Sequence, residues 1–170
     1  FSFQHENFLT LKNFSLILQQ VMVVGTIAIG QTLIILTAGI DLSCGMVMAL
    51  GSIVMTKFAA DYHLSAPVAI LCGIAATTLF GLINGLLVTR VKLPPFIVTL
   101  GTLNIAFAIT QLYSRAQTIT NIPDGMNLLG ETFSLAGARV PFGVVLMLGL
   151  YVAMWAVSYT HLTLPTSDLV

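Results

Sequence analysis

Residues 30–54, GQTLIILTAGIDLSCGMVMALGSIV, decide the fold, because glycine and aspartate interrupt an otherwise apolar stretch there. A helix that crosses the hydrocarbon core of a bilayer needs about 20 apolar residues. The run before the interruption extends over residues 14–37, and the run after it over residues 44–60. The sequence therefore predicts a helix, a break near residues 38–45 and a second helix.

Three further apolar runs have the length of membrane spans, and they cover residues 67–89, 96–113 and 141–157. The last of them follows a long polar connection over residues 114–140 that contains Pro123. Runs of this length and hydrophobicity are typical of transmembrane helices. We predict an all-α protein, a polytopic transmembrane helix bundle with one broken helix near residues 38–45.

Lysine and arginine in short loops indicate which side of the membrane a loop occupies. Arg90 and Lys92 lie in the six-residue loop RVKLPP at residues 90–95, which we expect on the cytoplasmic side. The connections at residues 61–66 and 114–140 then face outward, and the chain enters its first span from outside.

The composition excludes several classes of function. Hydrophobic residues make up 57% of the 170 residues and charged residues only 7%, against roughly 25% charged residues in soluble domains. Six basic residues balance six acidic ones, so no basic surface is available for nucleic acid. The three histidines and two cysteines lack metal-ligand spacing, and no P-loop motif occurs. We expect no metal, no cofactor and no catalysis by this polypeptide.

Asp41 is the acidic residue inside the predicted break, together with Gly39 and Ser43. An ionisable side chain at membrane depth costs ~2.5–3.5 kcal/mol on insertion scales, so it is a functional candidate by default. Its carboxylate has two possible roles: it caps the helix that starts near Leu42, with Ser43 sharing the cap, or it contacts substrate or a moving gate. Since irregular backbone is not tolerated in lipid, we expect the break to face a cavity or a helix bundle.

Two further motifs place polar or small residues inside apolar runs. The sequence GLING puts Gly81 and Gly85 four residues apart around Asn84, a pattern that favours close helix packing with a hydrogen bond across the contact. In LPPFIVTLGT, Thr99 and Thr102 share one helix face. Their hydroxyls either bond to carbonyls of their own helix or contact a ligand.

These blocks carry a family resemblance. GQTLIILTAGIDLSCGMVMALGSIV, GLINGLLVTRVKLPPFIVTLGTLNIAFAIT and the lead-in NFLTLKN resemble the membrane permease subunit of bacterial ABC monosaccharide importers of the ribose and fructose type, over about residues 7–157. The matching signature positions are Gly39, Asp41, Leu42, Ser43, Gly45, Pro95, Phe96, Thr99, Leu100, Gly101 and Thr102. The family usually has glycine where this chain has Ala38, and often valine where it has Cys44.

The resemblance implies a multi-pass protein of the bacterial inner membrane that transports a monosaccharide. It pairs with a second permease subunit, binds cytoplasmic ATP-binding subunits that carry out the hydrolysis, and receives sugar from a periplasmic sugar-binding protein. The substrate path or gate would then include Gly39, Asp41, Ser43, Phe96, Thr99 and Thr102.

Residues 1–157 are accordingly interpreted as a partial permease domain from the amino-terminal half of such a subunit, and residues 158–170 as a non-native tail. Two alternatives stay open at this stage. The first is an ion-coupled secondary transporter that uses Asp41, and the second is a membrane scaffold that transports nothing.

Overall fold

Five long helices make up most of the computed structural model, which describes residues 8–120, 122–123, 125–135 and 138–161. They are α1 (Leu11–Leu36), α2 (Cys44–Asp61), α3 (Ala66–Thr89), α4 (Pro95–Ser114) and α5 (Phe142–His161). All five are long enough and apolar enough to cross a membrane. The predicted fold class is confirmed.

The helix bounds lie close to the predicted apolar runs. Proline marks the start of two helices, with Pro67 in the first turn of α3 and Pro95 opening α4. Proline fits there because the first N–H groups of a helix have no partner within the helix. At the other end of the chain α5 continues to His161, beyond the predicted limit at residue 157, and residues 162–170 of the expected tail lie outside the described residues.

The chain divides into two compact units, and the first of them is Gln31–Asn127. In this unit Asn84 of α3 bonds to Ser43 at the start of α2, and Gly73 of α3 lies against Gly51 farther along α2. Position numbers rise along one helix as they fall along the other, so α2 and α3 are antiparallel. Two contacts of α4 show that it is parallel to α2: Thr99 bonds to Ile40, and the Lys57 ammonium lies 5.9 Å from the Tyr113 ring centroid.

The second unit joins Phe1–Gly30 with Leu128–Val170. It contains a short hairpin in which β1 (Thr132–Leu135) pairs with β2 (Ala138–Pro141) in antiparallel register. Its core is apolar and consists of Val140, Val144 and Met147, packed against Leu18, Met22 and Phe133.

Two contacts between α1 and α5 fix the direction of the helices in this unit. Met22 of α1 lies against Gly143 of α5, and the Tyr151 hydroxyl of α5 donates to the Gly25 carbonyl of α1 at 3.2 Å. Residue numbers rise together along both helices, so α1 and α5 are parallel.

These directions agree with five successive membrane crossings. A chain that crosses a bilayer with each helix in turn reverses direction every time, so odd-numbered helices run one way and even-numbered helices the other. Within the first unit α2 and α4 are parallel and α3 is opposed to both, and within the second unit α1 and α5 are parallel. Each measured pair therefore has the direction that five crossings require.

The backbones of α2 and α3 approach closely where Gly51 lies against Gly73. A Cβ atom on Gly73 would lie 2.8 Å from the Gly51 carbonyl oxygen and 3.0 Å from the Met55 Cβ. At Gly81 and Gly85, by contrast, a Cβ atom would meet no atom within 4 Å in the described part of the chain. The packing predicted for Gly81 and Gly85 has no partner there and stays a prediction for a surface outside the described residues.

We expect Gly73→Ala to destabilise the bundle by about 1–3 kcal/mol, because its methyl group collides with backbone that cannot move without separating the two helices. Gly81→Ala is the matched control, since alanine there gains helix propensity and meets open space. The measurement is thermal unfolding of the purified chain in detergent. Equal melting temperatures for Gly73→Ala and the unchanged chain would show that the two backbones are not in contact.

Candidate functional site

The break begins with a capped helix end. The Gly39 N–H donates to the Ile34 carbonyl at 3.0 Å, and the Ala38 N–H donates to the Ile35 carbonyl at 2.9 Å. This pair of bonds is the Schellman arrangement, in which the residue that follows the helix cap adopts a left-handed conformation. Ala38 has that conformation, with φ of 56°. It stands at the position where the family resemblance leads one to expect glycine, which adopts this conformation without steric cost.

Asp41 holds the start of α2. Its Oδ1 accepts the Ser43 backbone N–H at 2.7 Å and the Ser43 hydroxyl at 2.6 Å. Ser43 is only 1% exposed, so this carboxylate partners groups that would otherwise be buried without an acceptor. The geometry is that of an Asx turn directly before α2: the carboxylate accepts both bonds from Ser43, the N-cap residue, and no side chain of the cap bonds to the first turn of the helix.

Three side chains from the surrounding helices bind the break. Asn84 of α3 donates from Nδ2 to the Ser43 Oγ at 3.0 Å. Thr99 of α4 donates from Oγ1 to the Ile40 carbonyl at 3.2 Å. Gln31, in the last turns of α1, donates from Nε2 to the Asp41 carbonyl at 3.1 Å. The irregular segment is therefore tied to α1, α3 and α4 by side-chain donors.

The structure brings Asp41, Ser43 and Thr99 together at one site, with Gly39 in the same turn. Asn84, which the sequence assigned to helix packing, joins them through its bond to Ser43. The role of each in transport stays a prediction.

The other two candidates lie apart from these contacts. The Thr102 hydroxyl bonds to the carbonyls of Val98 and Thr99 in its own helix, both at 3.2 Å, and its side chain is buried. Phe96 is 51% exposed, and the described contacts of the break do not include its side chain.

Gln31 is the contributor that sequence reasoning missed. It interrupts the first apolar run ten residues before Asp41. A polar amide inside a membrane span needs a hydrogen-bonding partner, and this is the signal that could have singled it out. The sequence does not identify Asp41 as that partner, because the two residues are ten positions apart and only the turn between α1 and α2 brings them together.

The charge at the site is uncompensated within the described residues. The salt bridge that the described residues form lies elsewhere, between Lys57 and Asp61 at 2.9 Å, one helical turn apart on α2. It does not involve Asp41. Asp41 is half-buried, and the side chains bonded to it are the neutral Ser43 hydroxyl and Gln31 amide. No group of three or more histidine, cysteine or acidic side chains that could hold a metal occurs in the described part of the chain.

The matching family and the similar proteins are all permease components of transport systems. The family described as "Branched-chain amino acid transport system / permease component" matches residues 13–164. The fructose import permease protein of Rhizobium meliloti is 45% identical over 148 residues, which are 84% of this chain and 41% of that protein. The ribose import permease protein of Bacillus subtilis is 33% identical over 156 residues, which are 91% of this chain and 47% of that protein.

A third relative is the autoinducer 2 import system permease protein of Photorhabdus luminescens, 31% identical over 157 residues, with 92% of this chain and 46% of that protein covered. The chain thus spans less than half the length of each of these relatives. No solved structure matches the chain.

We expect Ala38→Gly to stabilise the chain by about 1 kcal/mol, because glycine removes the steric cost that an L-residue has in the left-handed conformation. The neighbouring change Gly39→Ala is the contrast, since a Cβ there would lie 3.0 Å from Ile34 Cγ2 and 3.3 Å from the Ile34 carbonyl oxygen. Thermal unfolding in detergent should rank the variants Ala38→Gly, unchanged chain, Gly39→Ala. The reverse order would contradict the helix-end geometry.

The two bonds from Ser43 to the Asp41 carboxylate predict a difference between two substitutions of Asp41. Asp41→Ala leaves the buried Ser43 N–H and hydroxyl without their acceptor, and we expect a loss of about 1–2 kcal/mol in the free energy of unfolding. Asp41→Asn keeps an oxygen that can accept both bonds, so its loss should be less than half as large. Unfolding of both variants in the same detergent tests this, and equal losses would show that the charge matters more than the hydrogen bonds.

Proposed function

Because the chain belongs to the family of branched-chain amino acid transport system permease components, we propose that it forms part of the membrane path of an ATP-driven importer whose cargo is a monosaccharide. The observation that carries this proposal is the 45% identity to a fructose import permease protein over 148 residues. The second relative, a ribose import permease protein, supports the same class of cargo.

The proposed setting is the bacterial inner membrane, which the five helices of spanning length support. In this setting the chain pairs with a second permease subunit. Cytoplasmic ATP-binding subunits hydrolyse ATP, and a periplasmic sugar-binding protein delivers the sugar. The polypeptide itself carries out no chemical step; its contribution is a path whose shape changes with the state of the ATP-binding subunits.

Within this path we assign the break, with Gly39, Asp41, Ser43 and Thr99, to the wall or gate that the sugar passes. Support comes from the physical chemistry of the bilayer. Irregular backbone and a half-buried carboxylate are both costly against lipid, so the break has to face protein or water. Residues that line a transport path meet this condition. Thr102 and Phe96 lie on the same helix as Thr99 and extend the proposed wall along α4.

A chimaeric permease tests the proposal. The aligned segment of the Rhizobium meliloti fructose import permease is replaced by residues 13–157 of this chain and expressed in a strain that lacks its own permease but keeps the other importer components. We expect uptake of radiolabelled fructose above the level of the permease-deficient strain, because segments of 45% identity share their packing positions.

Two controls accompany the uptake measurement. A variant of the ATP-binding subunit that cannot hydrolyse ATP should abolish uptake by the chimaera, and membrane fractions should contain the chimaera in the same amount in both strains. Uptake that persists with the inactive ATP-binding subunit would contradict an ATP-driven importer and favour ion coupling. A membrane-inserted chimaera without uptake would favour a scaffold.

A further inference from the structure

Two buried oxygen atoms at the break have no hydrogen-bond donor among the described residues. They are Oδ1 of Asn84 and Oε1 of Gln31. Asn84 is 9% exposed, so its side chain is nine-tenths buried. Buried polar atoms in native proteins nearly always have a partner, so each exception needs an explanation.

The hydrogen-bond network fixes which way both amide groups point. The Ser43 hydroxyl gives its proton to Asp41, so the group that faces its oxygen from Asn84 has to be the donor Nδ2. Gln31 faces the Asp41 carbonyl, which only accepts, so Nε2 has to lie on that side. Rotating either amide would set two acceptors against each other. Both amide oxygens are thus held as acceptors, each on a group that already contacts the break.

Asp41 adds a third acceptor. Its Oδ1 is taken by the two donors of Ser43, whereas no described residue donates to Oδ2. Asp41 is half-buried while Asn84 and Ser43 are buried, so Asp41 is the most exposed of the three residues. A carboxylate exposed to lipid would be strongly disfavoured, so the exposed part of Asp41 faces protein or water.

We propose that these oxygens of Asn84, Gln31 and Asp41 form a binding site for hydroxyl groups of a neutral monosaccharide, with the Asn84 Oδ1 accepting one sugar O–H. The site rests on the proposed function and adds to it two residues, Asn84 and Gln31, that the sequence did not assign to the path. Acceptors without donors complement a ligand that presents O–H groups. A divalent cation such as Ca²⁺ takes roughly 6–8 oxygen ligands, more than the break offers.

The test compares sugars as well as variants in the chimaeric permease. Uptake efficiency is measured for fructose and for its monodeoxy analogues in the unchanged chimaera and in Asn84→Leu. The variant and the deoxy analogue each remove the same hydrogen bond, so their effects should not add. Loss of one neutral hydrogen bond lowers efficiency about threefold to tenfold. Asn84→Leu also removes the bond to Ser43, which affects every sugar alike, so we expect the loss of about threefold to tenfold for fructose in addition to whatever loss is seen for the one analogue that lacks the bound hydroxyl.

Matched controls separate this role from a structural one. Asn104→Leu removes an exposed amide of α4 that donates to the Leu100 carbonyl of its own helix, and it should leave the sugar preference unchanged. Gln31→Met removes the second acceptor without changing the buried Asn84, and it replaces Asn84→Leu in the test if that variant inserts poorly into the membrane. The matched control for Gln31→Met is Gln20→Met, at an exposed position of α1. Membrane levels of all variants are compared by immunoblot.

The outcomes are distinct. An equal fall for fructose and every analogue in both acceptor variants, or no fall in either, would overturn the hydroxyl site while fructose uptake by the unchanged chimaera still supports the proposed function. Uptake that requires Na⁺ and is lost in Asp41→Asn would assign the oxygens to a cation and overturn the site. An unchanged chimaera without sugar uptake contradicts the proposed function, and the hydroxyl site falls with it.

Discussion

The structure depends on one constraint, that backbone N–H and C=O groups shielded from water need a partner inside the protein. The five helices meet this requirement by their own hydrogen bonds. The segment between α1 and α2 cannot, and here the side chains of Gln31, Asp41 and Thr99 supply what the backbone lacks. Polar residues such as Gln31 and Thr99 within otherwise apolar helices are therefore explained first by the hydrogen bonds that they give to the irregular segment.

Close packing of α2 against α3 sets which residues of α3 lie opposite the break. Gly51 and Gly73 let α2 and α3 approach within contact of their backbones, and the antiparallel register that results brings Ser43 opposite Asn84. At 1.5 Å per residue, the glycine contact lies only about two to three helical turns from this polar contact. A shift of α3 by one turn, about 5.4 Å, would separate Asn84 from Ser43 altogether. The apolar packing and the polar network are thus one arrangement.

The sequence predicted what depends on composition along the chain and missed what depends on contacts across it. Apolar runs gave the five helices, and the Gly39–Asp41 interruption gave the break. The contact of Gly51 with Gly73 depends on two helices together, so no pattern within one helix predicts it. The GLING motif within α3 predicted packing at Gly81 and Gly85 instead. The hairpin in the predicted connection went unseen because strands of four residues such as Thr132–Leu135 are too short for a period of two to stand out.

The bond between α4 and the break is one that the bundle can lose at low cost. The Thr99 hydroxyl has a single proton, and three carbonyl oxygens lie within its reach: Pro95 at 2.9 Å, Ile40 at 3.2 Å and Phe96 at 3.4 Å. The acceptor at the shortest distance is in its own helix, so Thr99 keeps a partner whether or not α4 touches the break. The Nδ2 of Asn84 has no such second acceptor among the described residues. The break is therefore held more firmly to α3 than to α4.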